Sequence, residues 1–257
     1  ECNREWQGCR HECFCAISVS SESSAMKSPA DTTPASSDAA LLARIPSELA
    51  AAAACLSNLE PGITVFGSAR TKADSPDYQC AYRLGHYLAY AGMPLVTGGG
   101  PGIMGAANQG AIEAGGVSVG LSISLPHEQS PNPYLTHHLH FSDFQTRKLM
   151  LTRYSRGFVV FPGGFGTVDE LMELLVVFQT SRSARKPVVL VGRKFWQGLI
   201  DWLTEELGSR QFIDLHNTDF IKHADDEREV LAVMLGQAQA DALLLLHSDV
   251  PQLRSDG

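Results

Sequence analysis

Two stretches of this chain carry residues able to do chemistry on a phosphorylated ligand. The first is Phe158-Val-Val-Phe-Pro-Gly-Gly-Phe-Gly-Thr-Val-Asp-Glu170. An apolar run of strand type stops at Pro162, Gly163 and Gly164, and a helical pattern follows. Glycines there let a backbone approach a ligand closely, and the first amides of the helix point outward without acceptors. That combination reads as a phosphate cradle in which Gly164, Gly166 and Thr167 would bind, with Gly163 at its entry. Glu170, one turn on, is a carboxylate poised over the part of the ligand that is not phosphate. The competing reading is a capping box, with Thr167 as N-cap and Glu170 reaching back to its amide.

The second stretch is Asp143-Phe-Gln-Thr-Arg-Lys-Leu-Met-Leu-Thr-Arg-Tyr154. On a helix, Phe144, Arg147, Leu151 and Tyr154 share one stripe, which places Arg147 among apolar neighbours. Its guanidinium either pairs with a structural carboxylate or reaches the phosphate or Glu170.

Positioning these groups requires strands that end where the glycines begin. The pattern predicts helix over 39–59 interrupted at Pro46, strand 63–66, helix 77–91, strand 94–97, helix 103–114 and strand 117–123. A loop at 126–133, strand 138–141, helix 144–154, strand 158–162, helix 168–180, strand 188–191 and helices 195–207 and 226–238 follow. Such alternation implies an α/β fold: a doubly wound parallel sheet in a single domain. Ligands bind at the carboxyl ends of such strands. The glycine-bearing segments 67–70, 98–105 and 162–167 should therefore meet at one edge, with Gly99, Gly100 and Met104 forming the wall opposite the cradle. Ser68 and Arg70 are further candidates for phosphate contact. Gly100-Pro-Gly-Ile-Met-Gly105 is formally a dinucleotide fingerprint, but no carboxylate stands at Leu121–Pro126 to hold a ribose, which argues against NAD.

The chain has 257 residues, 44% of them hydrophobic, and a formal net charge of −8, which argues against a nucleic-acid-coating surface. No apolar run is long enough to span a bilayer. Cys2, Cys9, Cys13 and Cys15 crowd the N-terminus in a spacing that fits no usual zinc site. Residues 1–38 read as a disordered extension, with Met26 an alternative start and a targeting segment the other option; 39–247 form the nucleotide-binding domain and 248–257 a flexible tail. Cys55 and Cys80 read as reduced thiols, which fits a cytoplasmic setting.

Together Gly98-Gly-Gly-Pro-Gly-Ile-Met-Gly105, Arg147-Lys148 and Pro162-Gly-Gly-Phe-Gly-Thr-Val-Asp-Glu170 resemble the LOG family, the cytokinin riboside 5′-monophosphate phosphoribohydrolases long labelled lysine decarboxylases. The resemblance covers about 63–238. It implies a Rossmann-like fold and hydrolysis of the N-glycosidic bond of adenosine-type or cytokinin riboside 5′-monophosphates, giving free base and ribose 5-phosphate. It further implies catalytic roles for Arg147 and Glu170, a binding role for Lys148, no metal or organic cofactor, and a homo-oligomer. Plant-type members carry Met-His-x-Arg-Lys where this chain has Phe144-Gln-Thr-Arg-Lys148, so AMP and cytokinin precursors both stay open as substrates. The alternative within the superfamily is a non-catalytic nucleotide or molybdenum-cofactor carrier.

Overall fold

A computed structural model describes residues 34–124, 130–180, 185–214 and 220–251. The expectations for the N-terminal cysteines and the Ser-rich segment up to residue 33 lie outside the described residues, as does the end of the C-terminal tail. Seven strands form one sheet: β1 (Gly62–Phe66), β2 (Leu95–Thr97), β3 (Ser118–Ile123), β4 (His137–Phe141), β5 (Ser155–Val160), β6 (Val188–Val191) and β7 (Ile221–Ala224). Their order is β4-β3-β2-β1-β5-β6-β7, and every neighbouring pair is parallel. The helices are α1 (Pro34–Leu56), α2 (Pro76–Tyr90), α3 (Ile103–Glu113), α4 (Phe144–Arg153), α5 (Phe165–Thr180), α6 (Arg193–Trp202), α7 (Glu227–Leu235) and α8 (Gln237–Leu246), with one π-helical turn at Leu203–Gly208. This is the doubly wound Rossmann-like arrangement expected from the sequence.

The central strands are largely apolar because both faces are covered, and the period of two assigns each residue to a layer. Ile63 and Val65 of β1, Val159 of β5 with Phe161 just after it, and Val189 and Val191 of β6 pack with α2, α3, α7 and α8. Phe66, Phe158, Val160, Val188 and Leu190 pack on the other side with α1, α4, α5 and Trp196. Thr64, fully buried on that second side, donates from its hydroxyl to the Leu151 carbonyl at 3.2 Å and meets the Ser155 hydroxyl, so the one polar residue of β1 is satisfied.

Several boundaries differ from the expected ones. α1 runs straight through Pro46, which lies on the solvent side, where the carbonyl freed by the missing N–H reaches water. β5 starts at Ser155, three residues early, because Ser155 and Gly157 carry no strand signal yet pair with Gly62 and Ile63 of β1, with Arg156 bulged between them. The helix expected over 195–207 gives way after Trp202 to the π turn, and the one over 226–238 breaks at Gly236, whose φ of +87° only glycine adopts easily. β7 was not anticipated as a separate element.

The chain steps from β1 outward through β2, β3 and β4, then returns across β1 to β5, β6 and β7. The switch point therefore lies between β1 and β5. Their following loops, 67–70 and 162–164, diverge there and leave a crevice.

Candidate active site

The crevice is a cleft of about 700 Å³ lined by the β1 loop (Gly67 to Arg70), the glycine segment after β5 with the start of α5, Arg147 and Phe144 of α4, Met104 of α3 and Ile123 of β3. Its floor depends on glycines for distinct reasons. A Cβ on Gly67 would lie 2.6 Å from Ile103 Cγ2, one on Gly163 would collide with the Thr167 hydroxyl, and one on Gly98 would collide with Nη2 of Arg147. Gly164 and Gly166 face open space and leave the rim bare. Backbone bonds fasten the loops together: Ser68 N–H donates to Pro162 O and Ile103 N–H to Ser68 O, both at 3.1 Å.

α5 begins at Phe165, three residues earlier than a capping box at Thr167 requires. Val168 N–H donates to Gly164 O at 3.0 Å, so glycine, with no side chain to cap, precedes the helix. The first-turn amides are left to the cleft. Thr167 is therefore the third helical residue and Glu170 the sixth. Being three apart, they share a face turned inward. Thr167 is buried, and Glu170 Oε1 lies 3.5 Å from Arg147 Nη1, with side-chain exposures of 13% and 11%. The capping box does not form; the carboxylate is spent on the arginine.

Arg147 is placed by α4, whose N-cap Asp143 accepts from Thr146 N–H at 2.9 Å. The turn before it is tied to α1, because the Ser142 amide and hydroxyl donate to the Glu48 carboxylate. Nε of Arg147 donates to the Leu121 carbonyl at 2.7 Å, which fixes the plane of the guanidinium and leaves its far end facing Glu170 and the cleft. Burial raises the Glu170 carboxyl from 4.5 to about 7, with the nearby Arg147 pulling the other way without prevailing. A carboxyl that titrates near neutrality inside a cleft is the signature expected of a working group.

The remaining predicted residues divide. Ser68, Arg70, Met104, Gly163, Gly164, Gly166 and Thr167 line the cleft with Arg147 and Glu170. Ser68 Oγ accepts the Arg70 amide at 3.0 Å and shapes the β1 loop; Arg70 is exposed and has no carboxylate partner among the described residues. Gly99 and Gly100 stand behind the cleft. Gly99 N–H donates to Thr97 Oγ1, its carbonyl accepts from Asn132 N–H, and the Asn132 amide donates to Gly100 O. A buried network of Thr97, Asn108, Ser118 and Asn132 thus holds this loop rigid from behind. Lys148 turns away from the cleft to Glu173 at 2.7 Å and Asp169 at 3.1 Å. Burial works to lower its pKa, but the two carboxylates outweigh that and raise it, the reverse of what a Schiff-base lysine needs. Gly67, Gly98, Ile123, Phe144 and Phe165 were not singled out as site residues. The two glycines sit in the glycine segments already flagged, whereas the apolar three give no chemical signal in the sequence.

A family model described as possible lysine decarboxylase matches residues 104–234. The chain belongs to this family, the LOG family. It is 28% identical over 147 residues to a cytokinin riboside 5′-monophosphate phosphoribohydrolase of Rhodococcoides fascians, covering 55% of this chain and 73% of that protein. It is 27% identical over 146 residues to a pyrimidine/purine nucleotide 5′-monophosphate nucleosidase of Escherichia coli, covering 51% of this chain and 32% of that protein, so the match spans about a third of that longer relative. Among solved structures it resembles TM1055, a structural-genomics target, with a TM-score of 0.52 and 28% identity over 67% of this chain and 96% of the other. Within the family match lie Arg147, Lys148 and the whole of the second glycine segment through Glu170.

Proposed function

We propose that this LOG-family chain hydrolyses the N-glycosidic bond of nucleoside 5′-monophosphates, releasing free base and ribose 5-phosphate. The observation that carries the reading is the buried Arg147–Glu170 pair at the base of a glycine-rimmed cleft at the switch point of the sheet. The named activities of the bacterial relatives support it.

The chemistry follows from the groups present. The 5′-phosphate takes the uncapped amides at the start of α5, with Thr167, Ser68 and Arg70 nearby to add hydroxyl and guanidinium donors. Cleavage of the C1′–N9 bond sends its electron pair to the base and leaves positive charge on the ribose. The Glu170 carboxylate stabilises that charge and orders the water whose oxygen bonds to C1′. The water's proton leaves through the carboxylate, and the departing base takes up a proton. Arg147 favours the charged form of Glu170 against the effect of burial and grips ribose hydroxyls or phosphate. Lys148, bound to Asp169 and Glu173, supports the second face of α5 rather than the ligand. No step calls on a metal or organic cofactor.

The test is product analysis. Purified protein given AMP should yield adenine and ribose 5-phosphate in equal amounts, while adenosine should be left intact because the glycine rim has no phosphate to hold. Equal rates on adenosine would refute the cradle. Tight AMP binding with no release of base would favour the carrier reading. Running isopentenyladenosine monophosphate alongside settles the preference between the two substrate types.

A further inference from the structure

Two phenylalanines at the cleft have no role in the chemistry above. Phe165 is 96% exposed and Phe144 50% exposed, although both are large apolar rings. Each is the first residue of its helix, α5 and α4 respectively, and both line the cleft that holds Arg147 and Glu170. Neither contacts another aromatic ring among the described residues. Met104, Ile123 and Val168 line the same cleft. The lining is therefore two-sided in character: glycine amides, hydroxyls and guanidinium groups for an anion, and an apolar set dominated by two phenyl rings for something flat and poorly hydrated. A ring almost wholly in water gains little from folding, whereas against a planar heterocycle it gives large contact area at low entropic cost.

We propose that Phe144 and Phe165 are the base-recognition residues of this cleft, stacking on the heterocycle of a nucleoside monophosphate and favouring purines over pyrimidines. The proposal rests on the nucleotide reading and deepens it. Stacking suits this task because every base offers a π face, and the larger purine face gains more from it. The rings also supply apolar surface next to the base edge, where a substituent would lie.

The test uses the full chain and the variants Phe144→Ala, Phe165→Ala and Phe165→Tyr, with AMP, UMP and ribose 5-phosphate as ligands. Each alanine variant should weaken AMP by about tenfold, mainly in KM, in line with the loss of one base–aromatic stack. Inhibition by ribose 5-phosphate, which has no base, should stay as in the parent. The preference for AMP over UMP should collapse, and Phe165→Tyr should restore it. Equal weakening of AMP and ribose 5-phosphate would show that the cleft itself had been disturbed and would overturn the assignment. So would a change of AMP affinity within about twofold, smaller than any stacking loss. A change in oligomeric state by light scattering, with the AMP-to-UMP preference intact, would make Phe165 an interface residue and overturn its part. If the parent releases no base, calorimetric binding of the same three ligands carries the comparison, so failure of the hydrolase reading stays distinct from failure of this one.

Discussion

The Glu170→Gln variant, followed across pH, tests the buried carboxylate in two independent ways. Burial raises this carboxyl from 4.5 to about 7 despite Arg147 at 3.5 Å. For activity, the working form is the carboxylate. Below pH 7 the parent should lose turnover by about tenfold per pH unit, as for a single essential ionised group. At pH 8 the glutamine variant should be slower by on the order of 10²–10³, the usual loss when one preorganised charge is removed. For stability the sign is opposite. Between about pH 4.5 and 7 the folded state binds more protons at this group than the unfolded chain does, so the contribution of Glu170 favours folding at low pH and is lost as pH rises through 7. The full swing is about 3 kcal/mol, from the displacement between the two pKa values. Glutamine has no such titration. The stability of the variant relative to the parent should therefore rise by about 3 kcal/mol between pH 4 and pH 8. Histidines and the burial of Arg147 enter both proteins alike and largely cancel in that difference. Urea unfolding of both proteins at the two pH values measures it. A relative stability that does not move with pH, or an acid limb of activity near 4.5, would show that Glu170 is solvated and refute the argument. Turnover of AMP by the variant at the parental rate would remove the carboxylate from the mechanism.

Arg147→Lys keeps a charge but loses the Nε bond to Leu121 O and the planar fork, so kcat/KM for AMP should fall by on the order of 10² while circular dichroism stays unchanged. Gly98→Ala places a methyl against Nη2 of Arg147 and 2.9 Å from Met104 Sδ; activity should drop sharply with a small change in Tm, because the displaced atoms end flexible side chains. Glu48→Ala removes the acceptor of the Ser142 amide and hydroxyl and should lower stability by about 1–2 kcal/mol in thermal unfolding. The chain is expected to self-associate, and light scattering at micromolar concentration checks this; Leu171, Leu174 and Phe178 of α5 are committed to the core, which leaves the exposed Val176 side of that helix.

The sheet was legible because its strands are short apolar runs closed by glycine or proline, and because loop positions follow from strand ends. That reasoning placed the 67–70 and 162–167 segments together without any knowledge of the sheet order. It failed where pairing overrides local preference. Ser155-Arg-Gly157 carries no β signal but is held by β1, and Ile221-Lys-His-Ala224 is an edge strand whose exposed Lys222 hides its register. The site was legible in its residues but not in their directions. Thr167 and Glu170 fit a capping box on spacing alone, and only the start of the helix at Phe165 turns the same spacing into a shared inward face. Lys148, adjacent to Arg147 in sequence, lies about 100° away around α4 and faces Asp169 and Glu173 instead of the cleft. Gly99 and Gly100 look like ligand-wrapping residues in sequence, but Thr97 and Asn132 have taken Gly99's amide and the carbonyls of both. What decides function here is where each polar group finds its partner. Arg147 and Glu170 have found each other at the base of a cleft, where the glycine rim leaves room for a substrate to join them.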